Sequence, residues 1–415
     1  MRATFNSSRG AWYNAPVTPA PQRAGTASGA ASARAITRHA LITALNPDSS
    51  AFERYLARHG EIIDWPWLLE RAAAHKVAAL VAARVEESGL TAQLDPAIQR
   101  QLQAARQSAR RNAQQALYTL REISPLFDRA GVPFAVLKGV VLAEHVYQAL
   151  DLRSFVDTDL VVPPDAVAPA EAVLRSLGYR LGQIRPLLGR LPDGAIELRV
   201  AEEVTRRFYE RFHYELPLVP ADGRERMAVD LHWRIAPGSH LRATAEQLWQ
   251  QTEETVIAGE TIRTLNRPAT LVHLAVHAAT CSLPGFKLLP LCDIAWAVSR
   301  FGDDYEHVWE LAREWEAQAQ LAAVLHLVER VLRVPLPETL LRSRPPLAWR
   351  PGFADVATEE FLVDHRRADL PAWQRTRAEL EWNLAMRCLR HNVLRNLGVR
   401  LARLQWHLRR RGAAG

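Results

Sequence analysis

The chain has 415 residues, enough for two or three domains at about 150 residues each, and its 52 Lys+Arg against 45 Asp+Glu give a net charge of +7. That charge sits at the ends: residues 1–50 sum to +4 and residues 382–415 to +8, leaving −5 for residues 51–381. A basic nucleic-acid-binding core is therefore disfavoured. The three cysteines have no paired spacing, which excludes a disulfide framework and a zinc knuckle, and no apolar run reaches the roughly 18–20 residues that span a bilayer. A cytoplasmic protein without a transmembrane segment is expected.

Residues 1–48 are predicted to be a disordered arm, because the stretch through Ala35 is rich in Ala, Pro, Ser and Gly and holds no acid. Such a composition also suits a transit peptide or an overlong start, but amphipathic periodicity is lacking. Residues 49–130 predict an N-terminal helical section. Trp67, Leu68, Leu69, Ala72, Ala73, Val77, Leu80 and Val81 recur at three- and four-residue spacing, read as a helix over Trp65–Val81, and a long polar helix follows through QLQAARQSARRNAQQALYTLREI.

The pattern changes over residues 131–265. GVPFAVLKG reads as a short strand, VVLAEHVYQAL as a helix, SFVDTDLVV as a strand closed by Pro163-Pro164, and APAEAVLRSLG as a helix stopped at Gly178. RFHYELPLV and MAVDLHWRI, joined by PADGRER, then predict an antiparallel pair. Residues 266–381 read as a helical lobe and residues 382–415 as a basic helix with a leucine stripe. That last helix suits simple docking by its leucines, or an acidic partner, an RNA acceptor or a membrane surface. The expected fold class is α+β, a small mixed sheet between helical flanks.

Candidate chemistry concentrates on two strands. Asp157 and Asp159 alternate with Val156, Thr158 and Leu160, so both carboxylates share one face about 7 Å apart along the backbone. In MAVDLHWRI, Met227, Val229, Leu231, Trp233 and Ile235 form the apolar face, while Asp230, His232 and Arg234 form the polar one. If the strands are neighbours, three carboxylates converge in an oxygen-only site suited to Mg²⁺; otherwise they are solvated strand residues. His213 and Glu215 share the face of Asp230 if the register allows. His273 and His277 lie on one helix face, but HLAVH has Leu274 where a zinc protease needs Glu, and they are expected to be core histidines. Lysine occurs only as Lys76, Lys138 and Lys287 beside 49 arginines, which singles out each one. No Gly-x-Gly-x-x-Gly, Walker A, Gly-x-Ser-x-Gly or kinase catalytic loop is present.

FAVLKGVVLAEHVY…LRSFVDTDLVV, followed by VDLHWRI and then by LVHLAVHAA…KLLPLCDIAWAV, resembles the bacterial uncharacterised nucleotidyltransferase family of the DNA polymerase beta superfamily. The likeness covers approximately residues 50–300. It implies Asp157, Asp159 and Asp230 as metal-binding catalytic residues for two Mg²⁺ ions, with an NTP and an unknown acceptor as substrates. It further implies Lys138, Gly139, Arg153 and Lys287 as nucleotide-binding residues, and His232, His213, Glu215 and Asp293 at the acceptor or behind the acids. Lys138-Gly139 departs from the superfamily's Gly-Ser or Gly-Gly. Arg153 suits a phosphate contact or an ordinary surface position; Lys287 suits a nucleotide clamp or an ion pair with Asp293. The implied reaction is NMP transfer to a small molecule or protein, the alternative a non-catalytic nucleotide- or partner-binding member.

Overall fold

A computed structural model describes residues 27–182, 206–207, 209–210, 213–235, 243–280, 286–302, 305–342, 358–364 and 371–385. Five strands form one mixed sheet: β1 (Ala135–Leu137), β2 (Asp157–Val161), β3 (Tyr179–Leu181), β4 (Glu215–Pro220) and β5 (Ala228–His232), in the order β1-β2-β5-β4-β3. Strand β2 runs parallel to β5, and the remaining neighbours are antiparallel. The strands expected around the LKG turn, Asp-x-Asp and VDLHW are all present, and the fold is α+β.

Alternation of side chains gives this sheet two different faces. Leu160 of β2, Leu216 and Leu218 of β4, and Val229 and Leu231 of β5 pack into a core with α5 (Pro96–Arg129) and α7 (Val167–Ser176). Leu231 is fully buried, so Leu231→Ala should cost about 2–5 kcal/mol. The opposite face sends Ala135, Leu137 and Val161 into a second core shared with the helical flanks. Ladder partners share a face, so Asp159↔Asp230 and Glu215↔His232 place the acids and His232 on this second face.

On the N-terminal side, α1 (Ala27–Ala44), α2 (Ser49–His59), α3 (Trp65–Ala74) and α4 (Ala78–Glu87) precede α5. Asp48, Asp64 and Asp95 accept first-turn N–H groups of α2, α3 and α5, a standard way to satisfy helix-start donors. Two expectations are corrected here. The disordered arm does not extend through residue 48: α1 is ordered because Ala40, Leu41, Ile42, Ala44 and Leu45 are fully buried, offsetting the entropy lost on folding. The remainder of the arm, residues 1–26, lies outside the described residues. The single helix over Trp65–Val81 is instead two, broken at Lys76 with φ 62. Val77 and Lys76 donate to the carbonyls of Ala72 and Ala73 at 2.8 and 3.1 Å, the bond pair of a Schellman stop.

An additional hairpin, β6 (Thr252–Ile257) and β7 (Glu260–Leu265), stands where no strand was expected. Its turn residues Ala258 and Gly259 both have positive φ, 49 and 85, which matches the twist of a two-residue hairpin. Thr264 of β7 donates to the Val136 carbonyl of β1 at 2.8 Å. The C-terminal helices are α8 (Ala245–Gln250), α9 (Arg267–Thr280), α10 (Leu289–Arg300), α11 (Tyr305–Glu314), α12 (Gln318–Val331), α13 (Glu338–Arg342), α14 (Glu359–Asp364) and α15 (Ala372–Ala385). Helix α9 contacts α10, α11 and α12. Trp382 of α15 is buried, its ring 5.0 Å from Phe286. The rest of the expected basic helix, residues 386–415, lies outside the described residues. Among the described residues no helix is long and apolar enough to cross a membrane.

Candidate active site

The site starts at the turn after β1. Lys138 has φ 46 and ψ −132, and Gly139, with φ 41, opens α6 (Gly139–His145). Gly suits such a backbone, whereas a lysine there stores of order 1–3 kcal/mol of strain. The turn delivers the Lys138 ammonium to Asp159: Nζ lies 3.1 Å from Oδ1, with side chains only 10% and 9% exposed. A Cβ on Gly139 would stand 3.7 Å from the Phe155 ring and 3.9 Å from the Asp157 carbonyl, so its positive φ, rather than crowding, demands glycine.

Asp159 is also bonded from the other side. The His232 Nε2–H donates to Asp159 Oδ1 at 3.0 Å, and the other ring nitrogen lies 3.4 Å from Glu215 Oε2. Lys138, Asp159, His232 and Glu215 thus form a continuous line of polar groups across three neighbouring strands and the turn. Asp157 and Asp230 differ: among the described residues neither makes a hydrogen bond or an ion pair, although both are half-buried.

Electrostatics follow from these contacts. Burial alone would raise Asp159, but the Lys138 ammonium and the His232 hydrogen bond hold its carboxyl well below the usual carboxylate range. Burial pushes Asp157 up, and repulsion from Asp159 adds to it. Asp230 is raised well above the ordinary value by burial and by the charges of Glu215, Asp157 and Asp159. Glu215 is raised too, chiefly by burial. Lys138 stays charged: burial opposes its ammonium, but Asp159 and Asp157 raise it. Among the described residues no three His, Cys, Asp or Glu side chains are gathered closely enough to hold an ion. The acids share one face, but Asp159 is turned toward Lys138 and His232.

Arg153 is not at the surface. It is buried, and its guanidinium forks onto Asp293 of α10, with Nε to Oδ1 at 2.8 Å and Nη2 to Oδ2 at 2.9 Å. Tyr147 donates to the same Asp293 Oδ1 at 2.9 Å and stacks on Trp296 at 4.8 Å. Asp293 is thus paired with Arg153, and the charge of Lys287 acts on His75. A fork–fork pair fits guanidinium geometry better than an ammonium does. His213 precedes β4, with its ring 4.9 Å from Tyr209; no ladder register extends to it.

Three contributors escaped the sequence reading. Lys76 acts on the Asp157 carboxylate, and its rarity as a lysine was the available signal. His273 and His277 respond to Lys138 and Asp159, which makes them neighbours of the acids rather than only core residues. Burial lowers His273 to about 3, and the Lys138 charge lowers His277 well below its usual value, so both rings are neutral near pH 7.

Comparison with known proteins places this arrangement in a class. Residues 61–333 match the sequence profile of the uncharacterised nucleotidyltransferase family; the protein is a nucleotidyltransferase. The chain belongs to that family, the one its motifs resemble. Two solved structures of the antibiotic-resistance factor ANT(2'')-Ia are similar at a low level. A solution structure gives TM-score 0.31 at 17% identity over 50% of this chain and 94% of that one. A crystal structure with adenylyl-2''-tobramycin gives TM-score 0.29 at 16% identity over 50% and 95%. A search of curated proteins gives no match.

Proposed function

We propose that this nucleotidyltransferase transfers a nucleoside monophosphate from an NTP, ATP foremost, to a small-molecule or protein acceptor in the cytoplasm, with Mg²⁺ as cofactor. One observation carries the reading: Asp157 and Asp230 are half-buried acids without a partner, on the same sheet face as Asp159. Buried carboxylates are costly unless paired or metal-bound, and an all-oxygen set suits Mg²⁺. Asp157 and Asp230 would hold the ion, joined by Asp159 once it turns from Lys138 and His232. When bound, Mg²⁺ supplies neutralisation of phosphate charge and a lowered pKa for the acceptor hydroxyl.

The chain's own groups account for the remaining work. Lys138, strained into place beside Asp159, presents a fixed ammonium for triphosphate oxygens. Asp230, on the strand beside Asp159, accepts the acceptor's proton as general base. The acceptor oxygen then bonds to the α-phosphorus as the bond to pyrophosphate breaks, and pyrophosphate leaves with the electron pair. His232, held between Asp159 and Glu215, orients Asp159 and keeps its second nitrogen toward Glu215. Arg153 and Asp293 act as a positioning pair that fixes the loop ahead of β2.

Incubation with each α-labelled NTP, Mg²⁺ and a broad acceptor pool tests the reading. Label transfer with pyrophosphate release should occur in the wild type and fall about 10²–10⁴-fold in Asp230→Asn. Absence of transfer and of pyrophosphate release with every NTP would refute it.

A further inference from the structure

A cavity of about 730 Å³ lies beside Asp157, between α3, α5 and the segment leading into β2. Leu69, Ala104, Phe155 and Val156 supply apolar walls, while Lys76 and Arg100 supply two cations. None of the cavity's lining residues is acidic. Val156, adjacent to the unpaired Asp157, is 61% exposed although it is a large apolar residue. An apolar body with a few placed polar groups is the usual make-up of a small-molecule site.

We propose that this cavity is the acceptor pocket, and that its occupant is a small amphiphile: an apolar body bearing a carboxylate, with a hydroxyl as the acceptor group. The proposal rests on the nucleotidyl-transfer reading and deepens it. Charge complementarity decides the occupant. Arg100 attracts a carboxylate and repels an ammonium, and no wall residue is acidic, whereas the charge of Lys76 also acts on Asp157; the carboxylate end is therefore placed at Arg100 and the hydroxyl end toward Asp157. Lys76, held at φ 62 by the Schellman stop of α3, lines the cavity at the break between α3 and α4. The hydroxyl end of the occupant would face Asp157, which directly follows the wall residues Ser154, Phe155 and Val156. In the transfer itself, the acceptor oxygen bonds to the α-phosphorus, its proton passes to Asp230, and pyrophosphate leaves.

The test is calorimetric binding of 10-hydroxydecanoate to the full chain, beside the isosteric 10-aminodecan-1-ol and neutral decane-1,10-diol, without nucleotide. The acid should bind at least tenfold more tightly than the amine. Arg100→Glu, an exposed change that leaves the core intact, should remove or reverse that preference, and Ala104→Trp should abolish binding of all three. ATP binding, measured separately on each variant, should remain unchanged, so loss of nucleotide binding or transfer in the wild type counts against the nucleotidyl-transfer reading and not against the pocket. No binding of the acid, equal binding of acid and amine, or equal binding to the Ala104→Trp variant would overturn the pocket. The first of these is the result expected if another segment of the chain fills the cavity.

Discussion

Two acidic centres lie near one another in space and are built in opposite ways. At the joint between the β2 loop and α10, Asp293 is completed: Arg153 forks onto both oxygens and Tyr147 adds a third bond. On the sheet, among the described residues, Asp157 and Asp230 are left without partners, whereas Asp159 is compensated by Lys138 and His232. A protein that needs a carboxylate for packing surrounds it with donors. One that needs it for chemistry leaves it raised in pKa and available, at a cost in stability.

The contrast makes graded predictions. Asp293→Ala strands the buried Arg153 guanidinium, so urea unfolding should show a loss of about 3–5 kcal/mol; a loss below about 1 kcal/mol would mean the joint is not satisfied as described. A second satisfied region sets a pH limit. His75 is buried, donates from Nε2 to the Val363 carbonyl at 3.1 Å, and is lowered to about 4, mainly by burial. Above about pH 6.5 folded and unfolded chains both carry it neutral. Between about 6.5 and 4 only the unfolded chain binds the proton, so its contribution, about 3 kcal/mol, is lost as pH falls. His75→Gln should flatten that limb of a pH–stability curve.

The unsatisfied centre should respond with the opposite sign. Asp230→Asn removes a repelled, half-buried charge and should stabilise the fold by about 1 kcal/mol at neutral pH while lowering transfer about 10²–10⁴-fold. Because the folded carboxyl is raised above its ordinary 3.8, the wild type carries the penalty once pH exceeds the raised value and loses it below about 3.8. The variant's advantage should therefore vanish in acid. Thermal melts at pH 7 and pH 3.5 separate the outcomes, and destabilisation at pH 7 would show Asp230 to be a satisfied structural acid. The smallest effect concerns Lys76: Lys76→Gly at φ 62 should change stability by less than about 1 kcal/mol, because αL strain relief offsets lost packing.

Period-two alternation made the sheet's site legible. It put Asp157 and Asp159 on one face, Asp230 and His232 on another strand's polar face, and left only the register to be found, which Asp159↔Asp230 and Glu215↔His232 supply. Pairings over long separations were not legible. Nothing local distinguishes Arg153 from 48 other arginines, and its partner is 140 residues away. Backbone states were equally hidden: Lys76 carries a helix break that normally announces itself through glycine, and Ala258 opens a hairpin turn usually marked by Asn or Gly. Helix α1 was obscured by composition, since its Ala- and Ser-rich start outweighed the apolar Ala40–Leu45 end.

The central claim, that the unpaired acids form a cation site, is tested most directly by thermal unfolding with and without Mg²⁺. At tenfold its dissociation constant the ion should add about 1.4 kcal/mol, raising the Tm of the wild type by roughly 1.5–2 °C, with no shift in Asp157→Asn/Asp230→Asn. An unchanged wild-type Tm at saturating Mg²⁺, or an equal shift in the double variant, would contradict it.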